Sequence, residues 1–134
     1  MTAVVSLAGM PHQDPSRCQP ERPVSVLHVH GTADDIIPYQ GAANGRTFPS
    51  AEETVARWRG YDGCGESAST LAAPLDLDSA VPGAETTVTA YVDGCRDGSR
   101  VALWTIQGGG HVPDLTPAFT PAIVDFLYAA PRGR

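Results

Sequence analysis

The segment Val24–His30 reads VSVLHVH and is bounded by Pro23 and Gly31. It is rich in β-branched residues and carries apolar side chains on both faces, a pattern that suits a strand covered on two sides by helices. A strand of that kind belongs in the middle of a parallel sheet, so this one run constrains the chain to the α/β class. Thr2–Ala8 (TAVVSLA) has the same character and predicts a second buried strand, followed by a Gly/Pro/polar loop over Gly9–Pro23.

The remaining elements fit that frame. Ser50-Ala-Glu-Glu53 has the form of a capping box and predicts a helix start at Ser50, with Val55 and Trp58 on one face, Arg57 and Arg59 outward, and a stop near Gly60–Gly63. Cys64–Glu85 is small, polar and Pro-punctuated, and is expected to be an irregular, mobile surface excursion. Thr86–Val92 and Arg100–Gln107 flank the turn sequence Asp93–Gly98 and predict a hairpin. Thr120-Pro121 predicts the start of a last helix, Pro121–Ala130, burying Val124, Leu127 and Tyr128, with Ile123 and Phe126 alongside. The expected architecture is α/β: three parallel strands (Thr2–Ala8, Val24–His30 and Val101–Ile106), an antiparallel edge strand at Thr86–Val92, and helices packed on the sheet. The segments Gly9–Pro23 and Gly31–Glu85 are long enough for the crossovers that parallel strands need.

A chain of 134 residues with 42% hydrophobic content builds one domain. Its nine cations are all Arg and stand against fifteen acids, a net charge of -6 that argues against nucleic acid as a main partner. No apolar run approaches the ~20 residues that would span a bilayer, so no membrane partner is expected. Met1–Met10 lacks the basic start and apolar core of a signal peptide. The spacings of Cys18, Cys64 and Cys95 fit neither a zinc ribbon nor a redox Cys-x-x-Cys motif. A disulfide between two of them would imply an oxidising compartment with no export signal to reach it, which suggests that the front of something larger is missing.

Two constellations carry chemistry. His30-Gly-Thr-Ala-Asp34-Asp35 follows the predicted central strand, where α/β sheets place catalytic groups beyond the carboxyl ends of their strands. Either acid could instead form a turn by accepting hydrogen bonds from nearby amides. Gly108-Gly-Gly-His111 follows the last predicted strand, and three glycines suit a chain that must take unusual dihedrals to aim one side chain. A lone loop His is often a solvated surface residue. The order Asp then His, each after a parallel strand, matches that of Ser-Asp-His hydrolases on this sheet type.

Four stretches make the match specific: RPVSVLHVHGTADDIIPY, PSAEETVARW, GC…GCRDGSRVALWTIQGGGH and PAIVDFL. Together they resemble the carboxyl-terminal half of the α/β-hydrolase esterase family that contains extracellular polyhydroxybutyrate depolymerases and feruloyl or acetylxylan esterases. The resemblance implies a partial α/β-hydrolase fold, an ester substrate and no cofactor. It makes Asp34 the triad acid and His111 the triad base, and places His30, Tyr39 and Val112 along the substrate cleft. A complete family member would be secreted or periplasmic.

Two departures qualify it. Val112-Pro113 stands where the family has Trp-Pro, so one aromatic wall of the cleft is absent. No Gly-x-Ser-x-Gly occurs, and Ser67 and Ser69 in Gly65-Glu-Ser-Ala-Ser69 lack the strand before and helix after that a nucleophile elbow requires. The expectation is a truncated member, inactive alone. The resemblance also pairs Cys64 with Cys95 and leaves Cys18 without a mate in the chain.

Two rival functions follow from the same residues. His28-Val-His30 points two imidazoles to one face, as in part of an H-x-H-x-D metal site, but Thr32 stands where the carboxylate belongs and no His comes next, so no metal is expected; His28 is expected to pack against neighbours and His30 to hydrogen-bond within the loop. The other rival is a non-catalytic module binding a carbohydrate or aromatic acid beside Asp34, Tyr39 and His111. The Thr2–Ala8 strand, placed at a sheet edge, is expected to pair with a second copy or an upstream fragment.

Overall fold

The computed structural model describes residues 1–42 and 47–131. Five strands form one mixed sheet in the order β1-β2-β5-β4-β3, where β1 is Ala3–Leu7, β2 Ser25–Gly31, β3 Ser69–Thr70, β4 Thr86–Tyr91 and β5 Val101–Ile106. β1 and β5 both run parallel to β2, and β4 and β3 are antiparallel additions. Three parallel strands plus an antiparallel hairpin partner is the arrangement expected from sequence. Every residue of β2 is buried, as its two apolar faces require.

Alternation along β2 and β5 divides the core into two layers. Leu27, Val29, Trp104 and Ile106 pack on one face with Phe126 of helix α2 (Phe119–Ala129). Val26, Val101 and Leu103 pack on the other with Ala51 and Val55 of helix α1 (Ala51–Asp62). The start of α1 follows the capping box: Ser50 Oγ accepts from the Glu53 amide at 3.0 Å. It ends where Gly63 enters the left-handed region at φ 68°, and Cys64 directly after it forms a disulfide with Cys95 in the β4–β5 turn.

Two expectations are corrected. α2 begins at Phe119 without a side-chain cap, and Phe119, Ala122, Ile123 and Phe126 face the core, leaving Val124 and Leu127 partly exposed and Tyr128 81% exposed. Both stripes of this helix are apolar, so hydropathy alone does not distinguish them. The predicted surface excursion holds β3 and buries Leu77, Asp78 and Glu85. Burying those two acids is tolerable because each is hydrogen-bonded: Glu85 Oε1 accepts from the amides of Leu77 (3.0 Å) and Asp78 (3.1 Å), and Asp78 Oδ1 accepts from those of Ala80 and Asp114, both at 3.0 Å.

Candidate active site

β2 and β5 are neighbours running in the same direction, so the loops at their carboxyl ends emerge side by side. Backbone hydrogen bonds join them: Thr32 N–H donates to Ile106 O at 3.0 Å and Ala33 N–H to Gly109 O at 2.9 Å. A Cβ at Gly31 would lie 2.1 Å from Gly109 O, so only glycine lets the loops approach this closely. Gly108, at φ 80°, turns the second loop back while its N–H donates to Thr32 Oγ1 at 2.8 Å.

That junction brings Asp34 and His111, 77 positions apart in sequence, to an Nδ1···Oδ2 distance of 2.9 Å. The carboxylate of Asp34 is fully buried, whereas the imidazole of His111 is one-third exposed. Asp34 Oδ1 accepts from the amides of Ile36 (2.9 Å) and Ile37 (2.8 Å), the turn geometry considered as a rival to a catalytic role. One oxygen serves the turn and the other faces the imidazole. Desolvation pushes the Asp34 carboxyl up, but the His111 hydrogen bond and the two amides outweigh it and hold the group below its ordinary value. An ionised carboxylate only accepts, so the Nδ1 of neutral His111 carries the proton and its Nε2 lone pair is available as a base.

Behind Asp34 lies a second imidazole. His30 Nε2 is 2.8 Å from Ile37 O and 3.1 Å from Asp34 Oδ2, and His28 Nε2 is 3.0 Å from His30 Nδ1. Tyr39 packs edge-on against His30 with ring centroids 5.5 Å apart, and its hydroxyl hydrogen-bonds Thr105 Oγ1 on β5 at 2.9 Å. His30 is 2% exposed and Tyr39 5%. His30 supports Asp34 from beneath, and Tyr39 backs His30. Val112, by contrast, is 84% exposed beside His111.

Sequence reasoning missed the restraint on the far side of His111. Ser79 N–H donates to Asp114 O at 2.8 Å, Ser79 Oγ to Asp114 Oδ2 at 2.7 Å, and Thr116 N–H to Leu77 O at 3.0 Å. The supposedly irregular segment therefore straps down the loop that follows the imidazole. The alternating Leu75-Asp76-Leu77-Asp78 stretch was the available signal. Among the described residues no cluster of three His, Cys, Asp or Glu side chains is placed to hold a metal ion.

A mixed α/β sheet with a buried carboxylate and a partly exposed imidazole paired across adjacent strand ends is an arrangement found in hydrolases of the Ser-Asp-His type. The chain is distantly related to esterases, consistent with the α/β-hydrolase superfamily. It is 30% identical over 105 residues to feruloyl esterase B of Piromyces equi, covering 73% of this chain and 17% of that protein. It is 31% identical over 134 residues to "Putative esterase NocK" of Nocardia uniformis subsp. tsuyamanensis, covering 90% of this chain and 38% of that protein. The chain thus spans well under half the length of these curated relatives. No protein-family model matches it.

Proposed function

We propose that this chain carries the acid–base half of a serine-hydrolase active site for carboxylic esters, of the polyhydroxybutyrate depolymerase and feruloyl esterase type. Asp34 holds the tautomer of His111, and His111 Nε2 is the general base. In the complete reaction a serine hydroxyl attacks the ester carbonyl while Nε2 takes its proton. Collapse of the tetrahedral intermediate then expels the alcohol, which Nε2–H protonates. The serine and the oxyanion donors come from residues outside this sequence, which has no Gly-x-Ser-x-Gly. The observation that carries the reading is the 2.9 Å Nδ1···Oδ2 contact between the ends of adjacent parallel strands.

Two further features support a larger functional unit. Strand β1 pairs on one side only among the described residues, next to the exposed apolar side chains of Leu7, Val124 and Leu127. Further strands, or a second copy, pair along that edge. The Cys64–Cys95 disulfide fits a secreted or periplasmic setting.

The purified chain alone is expected to leave p-nitrophenyl esters at the buffer rate. Fused behind the preceding portion of the Nocardia relative, it is expected to hydrolyse them, with Asp34→Asn lowering kcat by about 10⁴-fold, the size of effect a wrong His tautomer produces. Turnover by the chain alone, lost on His111→Ala, would contradict the reading. A fusion that folds and stays inactive, while calorimetry detects ferulate or hydroxybutyrate oligomers binding the chain, would replace it with the non-catalytic binding module.

A further inference from the structure

The interior face of β2 presents two histidines that the proton transfers above do not use. His28 is 1% exposed and His30 2%, and they point the same way from alternate positions of one strand. Two buried imidazoles are costly unless every ring nitrogen that matters has a partner of the right kind. His30 Nε2 faces a carbonyl oxygen, Ile37 O, and a carboxylate oxygen, Asp34 Oδ2. A carbonyl can only accept, so Nε2 must carry hydrogen. A second proton on Nδ1 would place an additional charge in a nearly solvent-free layer. With Nδ1 bare, His28 Nε2 at 3.0 Å must be the donor to it. The direction of every hydrogen bond from His28 to Asp34 is therefore determined by one acceptor, Ile37 O.

We propose that His28 and His30 form a one-directional relay of neutral imidazoles that ends on Asp34 Oδ2 and governs the strength of the Asp34–His111 hydrogen bond, with His30 a positioning residue and His28 the lock on its tautomer. Asp34 Oδ2 accepts from His111 and lies 3.1 Å from His30 Nε2, whose one hydrogen it shares with the nearer Ile37 O at 2.8 Å, so the two imidazoles compete for the same electron density. His30 thus tempers how strongly Asp34 attracts the proton of His111. β5 sets Leu103 and Thr105 beside His28 and His30, β1 sets Ser6 beside His28, the following loop adds Tyr39, and α1 on the same face brings the charge of Glu52 to act on Tyr39. Burial and the neighbouring His30 push His28 down to about 4, in keeping with a neutral ring at physiological pH. The value of the relay to catalysis rests on the function proposed above, but its existence does not.

Long-range ¹H–¹⁵N correlation spectra of the whole chain, recorded between about pH 6 and 8, test it directly. The expected result is hydrogen on Nε2 of both His28 and His30, a bare Nδ1 on His30, and hydrogen on Nδ1 of His111. In His30→Leu the His111 Nδ1–H resonance is expected to move downfield, since Asp34 keeps a single imidazole donor. His28→Leu is expected to mix the His30 tautomers, and His28→Gln, whose amide reaches the Nε2 position, to restore them. A merely structural role would change melting temperature and leave the tautomers and the His111 Nδ1–H resonance where they were. Hydrogen on His30 Nδ1, or a folded His30→Leu protein whose His111 Nδ1–H resonance is unmoved, would overturn the relay. Should His30→Leu fail to fold, the tautomers of the unaltered chain and the two His28 variants still decide. An inactive fusion would leave these spectra intact, so failure of the function reading remains distinguishable.

Discussion

At the scale of residues, the imidazoles and carboxylates here differ mainly in where burial leaves them. His28 lies in the core and resists protonation, pushed down to about 4 from an ordinary value of 6.5, first by desolvation and then by His30. Between those two values the unfolded chain takes up a proton that the folded chain refuses. Its contribution to stability is complete above about pH 6.5 and declines as pH falls toward about 4, by roughly 3 kcal/mol in total. Asp34 acts in the same direction at lower pH: its folded-state value is depressed, so its stabilisation is present above the ordinary carboxylate range and disappears as pH falls through the lowered value. Urea unfolding across this range should show stability falling on acidification. His28→Leu should flatten the part between pH 6.5 and about 4, and an unchanged slope would contradict this account of the buried ring. Asp34 and His111 were legible from sequence because each follows a strand at the place where this sheet type exposes chemistry. That His30 hydrogen-bonds within the loop was legible too, but not its reach to Asp34, which forms only once the loop has closed back over the strand.

Elements succeed or fail in sequence by how local their determinants are. The start of α1 depends on Ser50 and Glu53, three positions apart, and was readable to the residue. The core-facing side of α2 depends on what lies beneath it, and two apolar stripes competed for that role. Cys64 and Cys95 join the end of α1 to the β4–β5 turn across 31 positions, which ties the α1 layer to the antiparallel side of the sheet. Cys95→Ser is expected to lower stability by about 3–4 kcal/mol in the loop-entropy model. Guanidinium unfolding of oxidised protein against the variant measures it, and reduction of the unaltered chain should reproduce the loss. A difference near zero would mean that the hairpin and helix hold each other without the bridge.

Considered whole, the molecule has unlike edges. β3 closes one side with two residues, a short edge that offers little to pair with, whereas β1 presents five residues beside the apolar surface of α2. In dilute buffer the chain is expected to self-associate through β1 and α2, and sedimentation velocity should find species heavier than 14.0 kDa whose share grows with concentration. Leu127→Lys with Tyr128→Lys should shift the population toward the monomer. A concentration-independent 14.0 kDa species would remove the edge-pairing argument.

The chain alone determined its class, because VSVLHVH between Pro23 and Gly31 has one stable setting, and it determined which carboxylate and which imidazole stand at strand ends. It also shows no Gly-x-Ser-x-Gly. Only the tertiary structure decided that those two groups meet, that two further histidines order the hydrogen bonds behind them, and that residues 76–79 strap the loop beyond His111. The reason is physical: periodicity and capping act over one turn or one pleat, whereas the Asp34–His111 and Ser79–Asp114 contacts join loops 77 and 35 positions apart. Those loops are brought side by side by parallel strands and admitted to contact by the missing side chain of Gly31.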